Sequence, residues 1–159
     1  MAEKLITHVA VFIVLKNEAG HVLLQRRANT GYLDGYYDFA CSGHVDAGES
    51  LHEAAIRELK EEIDITAKPD DLKLVHVNQN FLDKAYINFT FELDVWQGTP
   101  KICEPHKCSD LQFFDKNNLP SKCTVNVRLN EREAFASKLS YSKITPKEYD
   151  ALMGEPWLA

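Results

Sequence analysis

Glu58, Glu61 and Glu62 crowd one short stretch of the chain, GHVDAGESLHEAAIRELKEEIDI, from Gly43 to Ile65. Carboxylates packed this closely repel one another unless a positive charge sits among them. Hard oxygen donors, few from the protein and the rest from water and phosphate, suit Mg²⁺ or Mn²⁺. The chemistry such a site would do is phosphate hydrolysis, with a metal lowering the pKa of water and clamping phosphate oxygens. The competing reading is a solvated helix face, which acidic runs usually are.

The surrounding residues supply an element that could hold these acids. Ser50 and Glu53 form an S-x-x-E capping box, so a helix is predicted from Leu51. Leu51, Ala55, Leu59 and Ile63 recur every fourth position and mark its buried stripe. At 3.6 residues per turn, the three glutamates fall within an arc of about 100° beside that stripe. Glu58 and Glu62, one turn apart, would cost the helix about 0.2–0.5 kcal/mol by repulsion. A bound cation reverses that sign.

The stretch resembles the Nudix box, Gly-x5-Glu-x7-Arg-Glu-U-x-Glu-Glu-x-Gly-U, where U is bulky aliphatic. The matching residues are Gly43, Glu49, Arg57, Glu58, Leu59, Glu61, Glu62 and Ile65. Agreement at the six single-identity positions has a chance on the order of one in ten million per window, at about one in fifteen per residue. Asp64 replaces the last glycine of the box, where a left-handed residue would end the helix; Asp is among the few side chains that visit that region. The resemblance implies metal ligation by Glu58, Glu61 and Glu62, joined by the Ser42 carbonyl. It offers Glu58 or Glu61 as the catalytic group that takes a proton from water. Gly43, Glu49 and Arg57 are implied as structural, the last two as a salt bridge from loop to helix.

Other residues carry two readings each. Arg27 ends the strand before a glycine-rich loop and suits a phosphate, as MutT-like members imply; it also reads as a surface charge. In the loop Asn29–Tyr37, the Tyr32, Tyr36 or Tyr37 rings could stack on a nucleobase or seal a sheet edge. His44 could reach phosphate or the attacking water, or stand by. Cys103, His106 and Cys108 do not have a standard zinc spacing, and Glu104 is a possible further acid near the metal. His8, His21, His52 and His76 show no ligand pattern.

The elements needed to place these groups are legible in outline. With 159 residues, the chain suits a single domain with a core from about residue 7 to 139 and a tail from 140 to 159. Val9–Leu15 reads as a strand buried on both faces, Asn17–Gly20 as a turn, and His21–Gln25 as the returning strand. Tyr36–Cys41 reads as one short strand. Leu72–Asn78, Tyr86–Trp96 and Leu111–Phe114 read as further strands, and Arg128–Leu139 as a second helix. Thr145-Pro146 is a helix-start signal in the tail. This interleaving predicts an α/β fold, a mixed β-sheet between helices; the resemblance implies the same α/β/α sandwich.

Net charge is −6, which argues against a nucleic-acid polymer as partner. No apolar run approaches the ~20 residues that span a bilayer. The four cysteines lack framework spacing and the N-terminus lacks a signal-peptide pattern, so a cytoplasmic protein is expected, as monomer or homodimer. The resemblance implies a nucleotide-type small-molecule substrate, a nucleoside diphosphate linked to a group X. No downstream signal matches the NADH, ADP-ribose or dinucleoside polyphosphate subfamilies. Elimination leaves a MutT-like nucleoside triphosphate pyrophosphohydrolase. A nucleotide-sugar hydrolase and a non-catalytic nucleotide-sensing module are the alternatives.

Overall fold

A computed structural model describes residues 1–132 and 138–157. Two sheets share the core. The larger is mixed, with the order β4 (Cys41–His44), β1 (His8–Leu15), β6 (Tyr86–Leu93), β5 (Lys73–Asn80), β8 (Ser140–Ile144). The smaller is antiparallel, with β2 (Val22–Arg27) between β3 (Tyr37–Phe39) and β7 (Cys108–Phe114). The helices are α1 (Leu51–Ile63), α2 (Val125–Arg132) and α3 (Pro146–Met153).

β1 is the centre of the fold because its two faces serve two cores. Val11, Ile13 and Leu15 pack with Ala54, Ala55 and Leu59 of α1. Phe12 and Val14 face the other way, with Phe39 and with Val127 of α2. Alternation along a strand sends consecutive side chains to opposite faces, so an all-apolar run is what a strand between helices requires. The expected helix–sheet–helix layering is therefore present. β1 runs parallel to β6 and antiparallel to β4.

Two sequence-based expectations need correction. The Tyr36–Cys41 segment is two strands, not one. β3 pairs with β2 in the smaller sheet, β4 with β1 in the larger, and the chain changes sheets at the buried Ala40. The second helix starts at Val125, three positions before the expected Arg128, and Leu139 lies outside it, just ahead of β8. The tail packs onto the core. β8 adds to β5 in parallel, and Ile144 and Tyr149 are buried with Leu82 and Val125.

The local signals hold where they are complete. Ser50 Oγ accepts from the Glu53 N–H at 3.1 Å and Glu53 returns the bond to the Ser50 N–H at 2.7 Å, closing the capping box. Asp64 ends α1 at φ 56° and ψ 42°, the left-handed conformation that the missing glycine would have taken. Lys60 and Lys101 pair with its carboxylate at 2.5 and 3.0 Å.

Candidate active site

One guanidinium ties the loop after β4 to α1. Arg57 donates through Nε and Nη2 to the two oxygens of Glu49 at 2.7 and 2.9 Å, and through Nη2 to the His44 carbonyl at 3.0 Å. Its Nη1 reaches Glu58 at 2.6 Å and Glu61 at 3.5 Å. A planar fork bound to two carboxylate oxygens fixes direction as well as distance. The Arg57 hydrogen bond, aided by the Asp46 N–H, holds the Glu49 carboxyl down at about 2.

Gly43 is required by close approach rather than by its backbone. A Cβ there would stand 2.0 Å from Glu58 Oε1 and 2.1 Å from Glu58 Cδ. The Glu58 carboxylate thus lies against β4, and the residue is only 9% exposed. Glu62, one turn on, accepts from the Ser42 N–H at 3.3 Å. Burial pushes the Glu62 carboxyl well above the ordinary carboxylate range. The negative charges of Glu58 and, less strongly, Glu104 push it the same way, while the Ser42 N–H opposes them. Glu104 comes near because the Cys103 N–H donates to the Glu62 carbonyl at 3.2 Å.

Glu49, Glu58, Glu61 and Glu62 against one arginine leave this corner short of positive charge. Among the described residues, no three acidic, His or Cys side chains already converge as a metal-ligating group. Arg57 instead occupies Glu58 and Glu61. The donor set nevertheless fits a hard divalent cation. The missing Cβ of Gly43 leaves room for the Glu58 carboxylate, and Glu62 lies near enough to feel its charge, so two acids face one another at β4. A cation placed there would neutralise the same repulsion that raises Glu62.

Ser42, Gly43 and His44 also form one wall of a cavity of about 590 Å³ on the sheet face turned away from α1. Ala10, Phe12 and Asn88 line it from β1 and β6, Val125 and Asn126 from α2. Tyr32 and Trp157 line it too. His44 lies beside Tyr86, with Nε2 3.3 Å from the phenol oxygen. Of the residues singled out in the sequence, Ser42, Gly43, His44 and Tyr32 therefore share this cavity. Arg27 and Tyr36 are not part of its lining. Arg27 donates to the Tyr32 carbonyl at 2.8 Å and to Thr30 Oγ1 at 3.0 Å, and its guanidinium lies 5.5 Å from the Tyr32 ring centre. It also faces the buried Asp38 at 3.8 Å. Tyr36 donates to Glu155 at 3.2 Å.

Asn88, Asn126 and Trp157 had no part in the sequence-based site. Asn88 had a signal, being polar where β6 alternates with Ile87 and Phe89. That pattern reads as a wet face until α2 is known to cover it. Trp157 sits beyond every motif and had none.

The NUDIX domain family model matches residues 6–133. The chain thus belongs to the Nudix family. It is 32% identical over 113 residues to an ADP-ribose pyrophosphatase of Methanocaldococcus jannaschii, a match covering 70% of this chain and 64% of that one. An uncharacterized Nudix hydrolase of Pseudomonas aeruginosa is 46% identical over 55 residues, 34% of this chain and 32% of that protein. The chain thus spans less than two thirds of the length of these relatives. A MutT Nudix hydrolase of Burkholderia pseudomallei has a similar fold, with a TM-score of 0.73 at 21% identity, covering 80% of this chain and 98% of that one. A MutT protein of Methanosarcina mazei gives 0.69 at 21% identity, covering 86% and 97%. Nudix hydrolases generally depend on a divalent metal. No described helix is long and apolar enough to cross a membrane.

Proposed function

We propose that the chain is a Mg²⁺-dependent pyrophosphohydrolase that takes one nucleoside triphosphate and one water to a nucleoside monophosphate and pyrophosphate. One observation carries this reading. The strand segment Ser42–His44 touches Glu62 on one side and walls the cavity on the other. A ligand in that cavity would have its phosphates beside the acids. A volume of about 590 Å³ lies within the range of small-ligand sites and suits a single nucleoside with its phosphates.

Glu58, Glu61, Glu62 and the Ser42 carbonyl would hold the metal. When bound, the ion supplies a lowered pKa for water and charge neutralisation on phosphate oxygens. Arg57 orients Glu58 and Glu61, and one of these two takes the proton of the attacking water. Glu49 and Arg57 fix the loop, and Gly43 leaves room for the Glu58 carboxylate. Tyr32 and His44 line the space for the nucleoside. Arg27 acts one step back, by holding the loop that presents Tyr32, and Tyr36 does so through Glu155.

A second reading is a nucleotide-sugar substrate, the class suggested by the name of the Methanocaldococcus relative. It is favoured by a second depression of about 720 Å³, lined by His8, Asp46 and Glu49, which meets the first at His44. A longer substrate could lie across both. Products separate the readings: pyrophosphate from a triphosphate, or two monophosphates from an ADP-ribose-type compound.

A further inference from the structure

Trp157 lies past residue 133, where the family match ends, yet it lines the same cavity as the strand beside the acids. A turn and three contacts hold it there. Gly154 ends α3 at φ 72° and turns the chain back. The Trp157 backbone N–H donates to Asp150 Oδ1 at 2.7 Å. Its ring meets Tyr149 edge-on at 5.0 Å and Tyr32 at 5.7 Å. Nearby, Tyr36 donates to Glu155 at 3.2 Å, tying the tail to the loop that carries Tyr32.

The indole Nε1 is buried and has no hydrogen-bond partner among the described residues. A buried donor left unpaired is costly, and native structures seldom keep one without a use. Tryptophan offers a donor only, so whatever satisfies it must bring an acceptor. The lining is apolar at Phe12, Leu82 and Val125, with Asn80, Asn88 and Asn126 as its amide groups. A flat apolar slot with one aromatic wall and a few donors and acceptors fits a nucleobase, whose edge carries ring-nitrogen or carbonyl acceptors and whose face stacks.

We infer that Trp157 is a specificity-determining residue: with Tyr32 it forms the aromatic wall that receives the base, and its indole N–H donates to an acceptor on the base edge. The C-terminal segment thereby selects the nucleotide. This rests on the nucleotide reading above, but it concerns the base and not the cleavage.

The test uses the full chain and the adenosine, guanosine, cytidine and uridine 5′-monophosphates, which need no turnover. The chain has two tryptophans, so Trp96→Phe leaves Trp157 as the sole indole reporter. Phenylalanine keeps a ring against Phe113, 6.4 Å from Trp96. Should that variant not fold, the emission difference between the parent and Trp157→Phe isolates the same signal. At least one monophosphate is expected to shift or quench Trp157 emission, and Trp157→Phe is expected to bind it about tenfold more weakly by calorimetry. Hydrolysis of the matching triphosphate is measured separately. A nucleotide that is hydrolysed while its monophosphate leaves Trp157 silent, and binds Trp157→Phe equally well, overturns this inference and spares the hydrolase reading. A nucleotide that perturbs Trp157 but whose triphosphate is not cleaved supports the inference and overturns that reading for it. Silence from all four bases overturns the inference.

Discussion

Glu62 is the residue on which the charge balance of the site turns. Its carboxyl is pushed up by burial and by Glu58, so the folded chain holds that proton more tightly than the unfolded chain does. For an acid raised in this way, stability falls as pH climbs above the ordinary value of 4.5 toward the raised one. Glu62→Gln removes that penalty. The variant is expected to melt higher than the parent at pH 8 without divalent metal, and to lose at least about a hundredfold in kcat with Mg²⁺. A melting scan and a turnover assay check the two halves, and near-normal turnover at saturating Mg²⁺ would remove Glu62 from the metal site. Gly43→Ala tests the neighbouring contact. The new Cβ would strike the Glu58 carboxylate, 2.0 Å away, and force it off Arg57. The displaced atoms are the end of a flexible side chain, so the stability cost should stay within about 1–3 kcal/mol. Activity should fall at least about tenfold, because the group that moves is the one placed to work. Denaturant unfolding alongside kinetics would show whether activity falls more than stability. The sequence revealed which acids cluster, because their spacing on a helix is a local property. It did not reveal that Arg27 faces Asp38 and Tyr32, since that depends on how a loop folds back over its own strand.

Among the elements, the loop joining β4 to α1 has a pH dependence of its own. Glu49 titrates near 2 because Arg57 grips it, against an ordinary 4.5. For a depressed carboxyl, the stabilisation is full above the unfolded value and disappears as pH falls through the folded one. Melting temperature should therefore drop between pH 4.5 and 2 more steeply in the parent than in Glu49→Gln, with the two curves converging at the acid end. Parallel curves across that window would mean that the pair contributes nothing. Helix α1 was readable from sequence almost to the residue, because a capping box, a four-residue stripe and a left-handed end at Asp64 all act over one or two turns. The change of sheet at Ala40 was not readable, since it is defined by partners far along the chain, β2 and β1. β8 was missed for a related reason. Its sequence, SYSKI, is polar enough for an exposed edge and buries only Ile144.

At the scale of the whole molecule, the tail completes both the sheet and the cavity. Ile144 and Tyr149 are 1% and 2% exposed, and β8 covers the open edge of β5. A chain ending at residue 139 would lose both burials, at about 1.5–3 kcal/mol for each large side chain. It should be destabilised by about 3–6 kcal/mol in urea unfolding, and a midpoint unchanged from the full chain would show the tail to be peripheral. The proposed activity needs an acid cluster and a nucleoside-sized cavity that share the wall Ser42–His44. Its most direct test is a hydrolysis assay with Mg²⁺ over canonical and 8-oxo nucleoside triphosphates, ADP-ribose, nucleotide sugars and dinucleoside polyphosphates. Pyrophosphate and orthophosphate are detected separately, with Glu62→Gln as the control. The expected result is pyrophosphate from one or a few triphosphates, dependent on Mg²⁺ and absent in the control. Cleavage of ADP-ribose or a nucleotide sugar with no pyrophosphate from any triphosphate would contradict it.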